Sequence, residues 1–161
     1  VLEEQLLDSR RHDRQAFTSG IRELDEYLQR FAVQQSKKGI NVVRVLVDTD
    51  TPRTILGYYS LSAAQVDAVQ WDERTQQKLP RYPVPCFRLG RLAVHTAHHG
   101  RGLGRVLIGC VVERCLEARK HVAAYALVVD AKGESAKAFY EHYGFTSCRG
   151  NPMTLYLSLG A

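Results

Sequence analysis

Apolar residues recur along the chain in two rhythms. Ile21, Leu24, Leu28, Phe31 and Ala32 fall three to four residues apart, the period of an amphipathic helix. Ser19 stands where a cap would, and Lys37, Lys38 and Gly39 supply last-turn cations and a residue free to take positive φ, so the helix is expected to stop there. Leu2 to Leu7 reads as a short leading strand. Asn41 to Asp48 and Thr54 to Ala64 are rich in β-branched and aromatic residues around an Asp-Thr-Asp-Thr-Pro turn, which predicts an antiparallel hairpin. Leu79 to Pro85 is punctuated by proline and reads as irregular; Cys86 to His95 reads as a third strand. From Leu103 to Lys120 the residues Leu103, Leu107, Cys110, Val111, Val112, Cys115 and Leu116 cover the broad face of a helix packed on a sheet.

The stretch His121 to Asp130 contains an almost unbroken apolar run, Val122 to Val129, typical of a central strand buried on both faces. Strand, helix and strand in succession predict a parallel pair joined by a right-handed crossover. Glu134 to Tyr143 reads as a helix closed by Gly144. Met153, Leu155, Leu157 and Leu159 alternate with polar positions, as in a half-buried terminal strand. The expected fold class is therefore α/β in the mixed, α+β sense: antiparallel N-terminal strands joined to a parallel crossover.

A length of 161 residues suits one domain over 1–161, and no repeat, low-complexity tract or linker divides it. With 45% hydrophobic and 24% charged residues the chain is not of the disordered class. The densest apolar run, Val106 to Val112, falls far short of the roughly 20 residues of a membrane span. Val1 to Arg14 is dotted with charges and has no apolar signal region, so a cytoplasmic location is expected. Cys86, Cys110, Cys115 and Cys148 form no C-x-x-C pair and lie in predicted core segments, which marks them as small hydrophobes rather than redox or metal groups. The net charge of +5 is unevenly spread: residues 74–112 contain Arg74, Lys78, Arg81, Arg88, Arg91, Arg101 and Arg105 and no acid. A concentrated basic field suits polyanionic partners.

The stretch Leu92-Ala93-Val94-His-Thr-Ala-His98-His99-Gly100-Arg101-Gly102-Leu103-Gly104-Arg105 joins the end of a strand to the start of a helix. Unpaired N–H groups and the helix dipole favour an anion there, glycines let the backbone approach it, and Arg101 and Arg105 add charge. The spacing is neither that of a Rossmann fingerprint nor that of a P-loop. It resembles the acyl-CoA loop of the GNAT acyltransferases, with His99 in the place of the usual Gln or Arg. Downstream, Ala136-Lys-Ala-Phe139-Tyr140-Glu-His-Tyr-Gly144-Phe145 resembles the last helix of that family, and Gly133 stands where the family often has Asn or Asp.

A closer resemblance spans nearly the whole chain. Phe17-x-x-Gly20-x-x-x-Leu24-Asp25-x-Tyr27-Leu28, Gly57-Tyr-Tyr-Ser-Leu-Ser62, and Tyr82-Pro-Val-Pro85 leading into Arg88-Leu-Gly-Arg91-Leu-Ala-Val94 are similar to the GNAT toxins of type II toxin-antitoxin pairs. The resemblance implies acetylation of the α-amino group of aminoacyl-tRNA with acetyl-CoA, blocking translation. It also implies a ribbon-helix-helix antitoxin as partner, DNA contacted only through that antitoxin, and a homodimer. Leu92, Ala93, Val94, His99, Gly100, Arg101, Gly102, Leu103, Gly104, Arg105 and Phe139 are the implied cofactor-binding residues. Tyr140 is the implied general acid, with Phe139 beside it in the core and Tyr143 a weaker candidate.

The residues fit such chemistry. A phenol with a pKa near 10 still holds its proton at pH 7. A lysine-type amine is only about 0.04% neutral at pH 7 and an α-amine about 14%, so a site without a carboxylate base favours the α-amine roughly 350-fold. His95 or Asp130 remain possible bases acting through water. Arg88 and Arg91, three apart on a strand, point to opposite faces; with Lys78 and Arg81 they are candidate contacts to the substrate, or ordinary solvated cations. Tyr82 could stack a base. Trp71 reads as a packing or interface residue. The spacing of His95, His98 and His99 suits no metal. Two further readings stay open: a GNAT enzyme acting on a small amine or protein N-terminus, and a non-catalytic CoA-binding regulator.

Overall fold

The computed structural model describes residues 1–67 and 70–160. Its strands are β1 (Leu2–Leu6), β2 (Val42–Asp48), β3 (Gly57–Val66), β4 (Val84–Val94), β5 (Ala126–Asp130), β6 (Thr146–Ser147) and β7 (Thr154–Ser158). They form one mixed sheet in the order β1-β2-β3-β4-β5-β7-β6. The helices are α1 (Arg22–Glu26), α2 (Ala32–Lys37), α3 (Glu73–Gln76), α4 (Leu103–Ala118) and α5 (Glu134–His142). Contacts gather into two compact units, Val1–Ser62 with Gly90–Val111 and Ala63–Leu89 with Val112–Ala161.

In the first unit, β2 pairs antiparallel with β1 and with β3, so the expected hairpin is present with a leading strand added outside it. Successive side chains of β2 point to opposite faces. Val43, Val45 and Val47 join Phe17, Tyr27, Leu28, Ala32, Ile55, Tyr58 and Ala93 in one core. The other face buries Leu46 and Tyr59 and holds a cross-strand pair, in which Arg44 Nε donates to Glu4 Oε1 at 2.6 Å and the Tyr59 hydroxyl to Glu4 Oε2 at 2.6 Å. α4 packs on this second face. A Cβ at Gly57 would lie 2.8 Å from Leu107 Cδ1 and 2.9 Å from the Ala93 carbonyl, so glycine there is what permits the helix to approach.

The predicted helix after Ser19 differs in two respects. Tyr27–Phe31 is a π turn between α1 and α2. Within the widened turn Tyr27 and Leu28 are buried, as is Ala32 after it, while Phe31 stays exposed; Ile21, outside the helix as its N-cap, is exposed as well. Ser19 is not the N-cap: Ile21 holds that position, and Ser19 Oγ donates to Asp25 Oδ1 at 2.6 Å while accepting from the Ile21 N–H at 3.1 Å.

In the second unit, β4 pairs parallel with β5 over Phe87–Leu89 and Leu127–Val129, as the crossover predicts. β7 pairs antiparallel with β5 and with β6, a two-residue strand without a sequence signal of its own. Ala126 to Val129 is buried. The strand starts later than the apolar run: Val122 is 65% exposed, because the end of α4 turns through His121 and Val122, whose N–H groups both bond the Ala118 carbonyl. Trp71 is fully buried, edge-on to Tyr125 and Tyr156 at 5.4 and 4.8 Å, a packing residue and not an interface one. α3 is too short to carry a sequence signal; Asp72 caps it by accepting from the Thr75 N–H at 2.6 Å, and hydrogen bonding from the Thr75 side chain, then from this N–H, lowers the Asp72 carboxyl pKa. The cysteines are free thiols, and burial pushes Cys115 up to about 12 and Cys148 to about 11, far from a reactive thiolate. Among the described residues no helix is long and apolar enough to cross a membrane.

Candidate active site

The strand-to-helix passage of the first unit carries the anion-binding geometry. β4 ends at Val94, Thr96–His98 make one 3-10 turn, and the chain enters α4 through Gly100 (φ +80°) and Gly102 (φ +74°). A left-handed backbone costs an L-residue about 1–2 kcal/mol, so the turn itself calls for glycine at both places. Where a Cβ would point, no atom lies within 4 Å at either position, leaving open space over the turn. The N–H groups of Leu103, Gly104 and Arg105 begin a sixteen-residue helix and have no intrahelical acceptor. The Val106 N–H is the first to be taken up, by the Gly102 carbonyl at 3.2 Å. With exposed Arg101 and Arg105 alongside, these residues fit a phosphate group.

The three histidines hold the passage in shape. His99 Nε2 donates to the Val94 carbonyl at 2.8 Å, tying the turn back to the end of β4. His98 Nδ1 accepts from Arg101 Nη1 at 3.3 Å. His95 Nδ1 accepts from the Ala97 N–H at 3.1 Å, its Nε2 donates to the Ala16 carbonyl at 3.3 Å, and its ring meets Phe17 edge-on. Both nitrogens of His95 are thus engaged. At Asp130, Arg88 Nη1 donates to Oδ2 at 2.5 Å and Thr154 Oγ1 to Oδ1 at 2.7 Å. Both nitrogens of His95 are held by backbone groups, while each oxygen of Asp130 accepts one side-chain hydrogen bond and the carboxylate stays about half exposed. Among the described residues no three His, Cys, Asp or Glu side chains are grouped to hold a metal.

The second unit presents Tyr140 on α5. Gly133 opens this helix and Gly144 (φ +93°) closes it, with the Phe145 N–H bonding the Tyr140 carbonyl at 3.1 Å. Tyr140 is only 7% exposed and its ring touches Phe139 and Phe145 at centroid distances of 5.2 and 5.3 Å. Phe139 is the half-buried member of the pair, the reverse of the expected division between core and site. Burial pushes the Tyr140 phenol up to about 12, so it holds its proton throughout the neutral range. Among the described residues its hydroxyl has no hydrogen-bond partner. Tyr143 is partly exposed, with its ring against Phe139 and His142.

The expected substrate-contacting cations have different fates. Arg88 is neutralised by Asp130 in the second unit, where Lys78 and Arg81 are exposed. Arg91, in the first unit, has its guanidinium carbon 3.4 Å above the centre of the Tyr27 ring. The sequence contains no periodicity or spacing that announces this stack.

A parallel crossover whose helix starts on a glycine-lined turn, in a chain whose later helix bears a protonated tyrosine, agrees with the class of acyl-CoA-dependent acyltransferases that the sequence resembles. The family model for the acetyltransferase (GNAT) domain matches residues 43–147, and the chain belongs to that family. It is 33% identical over 142 residues to the tRNA-acetylating toxin of Mycobacterium tuberculosis (strain ATCC 25618 / H37Rv), covering 88% of this chain and 83% of that protein. A solved structure of AtaT complexed with acetyl-methionyl-tRNAfMet superposes with a TM-score of 0.91 at 27% identity, covering 98% of this chain and 95% of the other. A tyrosine-to-phenylalanine mutant of AtaT, bound to the C-terminus of the antitoxin AtaR and to acetyl-CoA, gives 0.83 at 25% identity over 98% and 93% of the two chains.

Proposed function

We propose that this chain transfers the acetyl group of acetyl-CoA to the α-amino group of aminoacyl-tRNA and so blocks translation, as the toxin of a type II toxin-antitoxin pair. The observation that carries the reading is the glycine-lined start of α4, set in a stretch of seven cations without a carboxylate. The turn, with Arg101 and Arg105 beside it, suits a polyanion, and a stretch without a carboxylate offers no strong base, which favours an amine already neutral in appreciable amount. The toxin of M. tuberculosis and the AtaT complex named above support the same substrate.

Acetyl-CoA supplies the activated acyl group. The N–H groups of Leu103, Gly104 and Arg105, with the Arg101 and Arg105 side chains, would hold its phosphates, and the backbone of Leu92 to Val94 would hold its pantetheine arm. His99 acts from behind by fixing the turn to Val94. As the substrate nitrogen bonds to the acyl carbon and the carbon–sulfur bond breaks, Tyr140 Oη gives its proton to the departing sulfur; the amine proton leaves to water, from which the phenolate is reprotonated. A phenol of pKa about 12 is always loaded but is a weak acid, so its proton moves together with the cleavage rather than before it.

The partner is a ribbon-helix-helix antitoxin, which alone contacts DNA; the toxin is a cytoplasmic homodimer. Incubation with labelled acetyl-CoA and a bulk pool of charged tRNA tests the activity. Label is expected on charged but not on deacylated tRNA. Absence of label from charged tRNA overturns the proposal, and label on a polyamine or a peptide N-terminus replaces it with the small-amine reading.

A further inference from the structure

We infer that Tyr27 is a positioning residue: it presents Arg91 as a fixed, uncompensated cation for a backbone phosphate of the tRNA acceptor end. The inference rests on the proposed tRNA substrate and names one contact within it. Arg91 and Arg88 are neighbours on β4 but differ in charge compensation. Arg88 meets the Asp130 carboxylate at 2.5 Å, whereas Arg91 has no carboxylate within ion-pair distance among the described residues. Among the described residues the contact its guanidinium makes is with the π face of Tyr27, at 3.4 Å. A guanidinium stacked on a ring keeps its N–H donors in the plane, aimed outward at an anion.

The ring is itself immobilised. Tyr27 is almost fully buried, its hydroxyl donates to Gln35 Oε1 at 3.0 Å, and Asn41 Nδ2 donates to both the Tyr27 hydroxyl at 3.0 Å and Gln35 Oε1 at 3.1 Å. This closed triangle joins the π turn, α2 and the chain just before β2. The π turn starts at Tyr27. The platform beneath Arg91 is therefore rigid, and less side-chain freedom is lost when a phosphate binds.

The face decides which phosphate. Tyr27, Tyr58 and Ala93 share the core on one side of the first unit's strands, and Arg91 lies on Tyr27 on that side. Leu107 of α4 approaches Gly57 from the other side, and the cradle is the start of α4. A phosphate at Arg91 is thus not one held by the cradle, which assigns it to the tRNA and not to acetyl-CoA.

The test is steady-state acetyl transfer at several salt concentrations, with direct tRNA binding by the same variants. Tyr27→Leu, which removes the platform, is expected to raise KM for aminoacyl-tRNA about 3- to 10-fold, the equivalent of freeing one long side chain, without moving KM for acetyl-CoA. Tyr27→Phe keeps the ring but releases it from Gln35 and Asn41, and is expected to give a KM for aminoacyl-tRNA between those of the wild type and Tyr27→Leu. Arg91→Gln is expected to lower the salt slope of tRNA binding by about 0.7 to 0.9, the loss of one phosphate contact. Arg91→Lys keeps the charge but not the planar stack, and is expected to raise KM for tRNA with the salt slope unchanged, a readout that stands even if Tyr27→Leu does not fold. A wild-type KM for tRNA in Arg91→Lys, or a rise in KM for acetyl-CoA instead, overturns the inference. Wild-type protein that binds tRNA with this Arg91 dependence yet transfers no label sinks the proposed activity and leaves the contact standing.

Discussion

Tyr140, the proposed general acid, combines a buried ring with a phenol pushed up to about 12. Tyr140→Phe removes one oxygen and leaves the ring contacts to Phe139 and Phe145, so the melting temperature should stay near wild type. The rate constant kcat should fall by about 100-fold or more, the scale of a lost general acid, with KM for acetyl-CoA preserved; single-turnover transfer of labelled acetyl groups measures it. A second residue sets the acid side of stability. His12 is buried, with Nδ1 accepting from the Asp8 N–H at 3.0 Å and Nε2 donating to Gln5 Oε1 at 2.8 Å. Burial, then the charge of Arg11, holds its pKa below the usual 6.5. The unfolded chain therefore takes up this proton more readily than the folded one. The stability contribution is complete above about pH 6.5 and is lost as pH falls through the lowered folded value. Urea midpoints should drop on acidification through this window in the wild type, and the drop should shrink in His12→Gln.

At the scale of elements, two glycine contacts are open to test. Gly102→Ala meets no neighbouring atom but must hold φ near +74°, so its cost is conformational. About 1–2 kcal/mol of strain at the turn, and a raised KM for acetyl-CoA with kcat little changed, are expected from melting and initial-rate measurements. Gly57→Ala is steric, since its Cβ would overlap Leu107 and the Ala93 carbonyl between β3 and α4. Overpacking of this kind costs about 1–3 kcal/mol, or roughly 2–12 °C in Tm for a chain of this size, and a scanning melt reads it directly. The elements themselves were legible where their signal is local. The hairpin, the crossover helix and α5 follow from periodicity and punctuation. The π turn did not, because a one-residue slip at Tyr27 reflects which side chains the sheet accepts and not any local preference; Phe31 ends that turn exposed. β6 and α3 are too short to show a period.

At the scale of the whole molecule, charge is the lever. The basic stretch between residues 74 and 112, even with Arg88 cancelled by Asp130, is expected to make KM for aminoacyl-tRNA rise steeply between 50 and 200 mM salt, well beyond any change for acetyl-CoA, because a tRNA displaces more counterions. A salt-independent KM for the tRNA would contradict a phosphate-based grip.

The sequence by itself determined the class of fold and the place of the glycine turn that opens α4, and it singled out Tyr140 as the proposed acid, because a strand-to-helix glycine turn and a helix-borne Phe-Tyr pair are local features. The tertiary structure decided which charged groups are free to act. Arg88 and Asp130 are 42 residues apart and cancel one another, Thr154 takes the second oxygen of Asp130, and Arg91 finds an aromatic face 64 residues away in Tyr27. Each of these pairings depends on which strands lie side by side and which face of the sheet a helix covers. No spacing along a chain encodes that, since it is settled only when all the elements have been packed together.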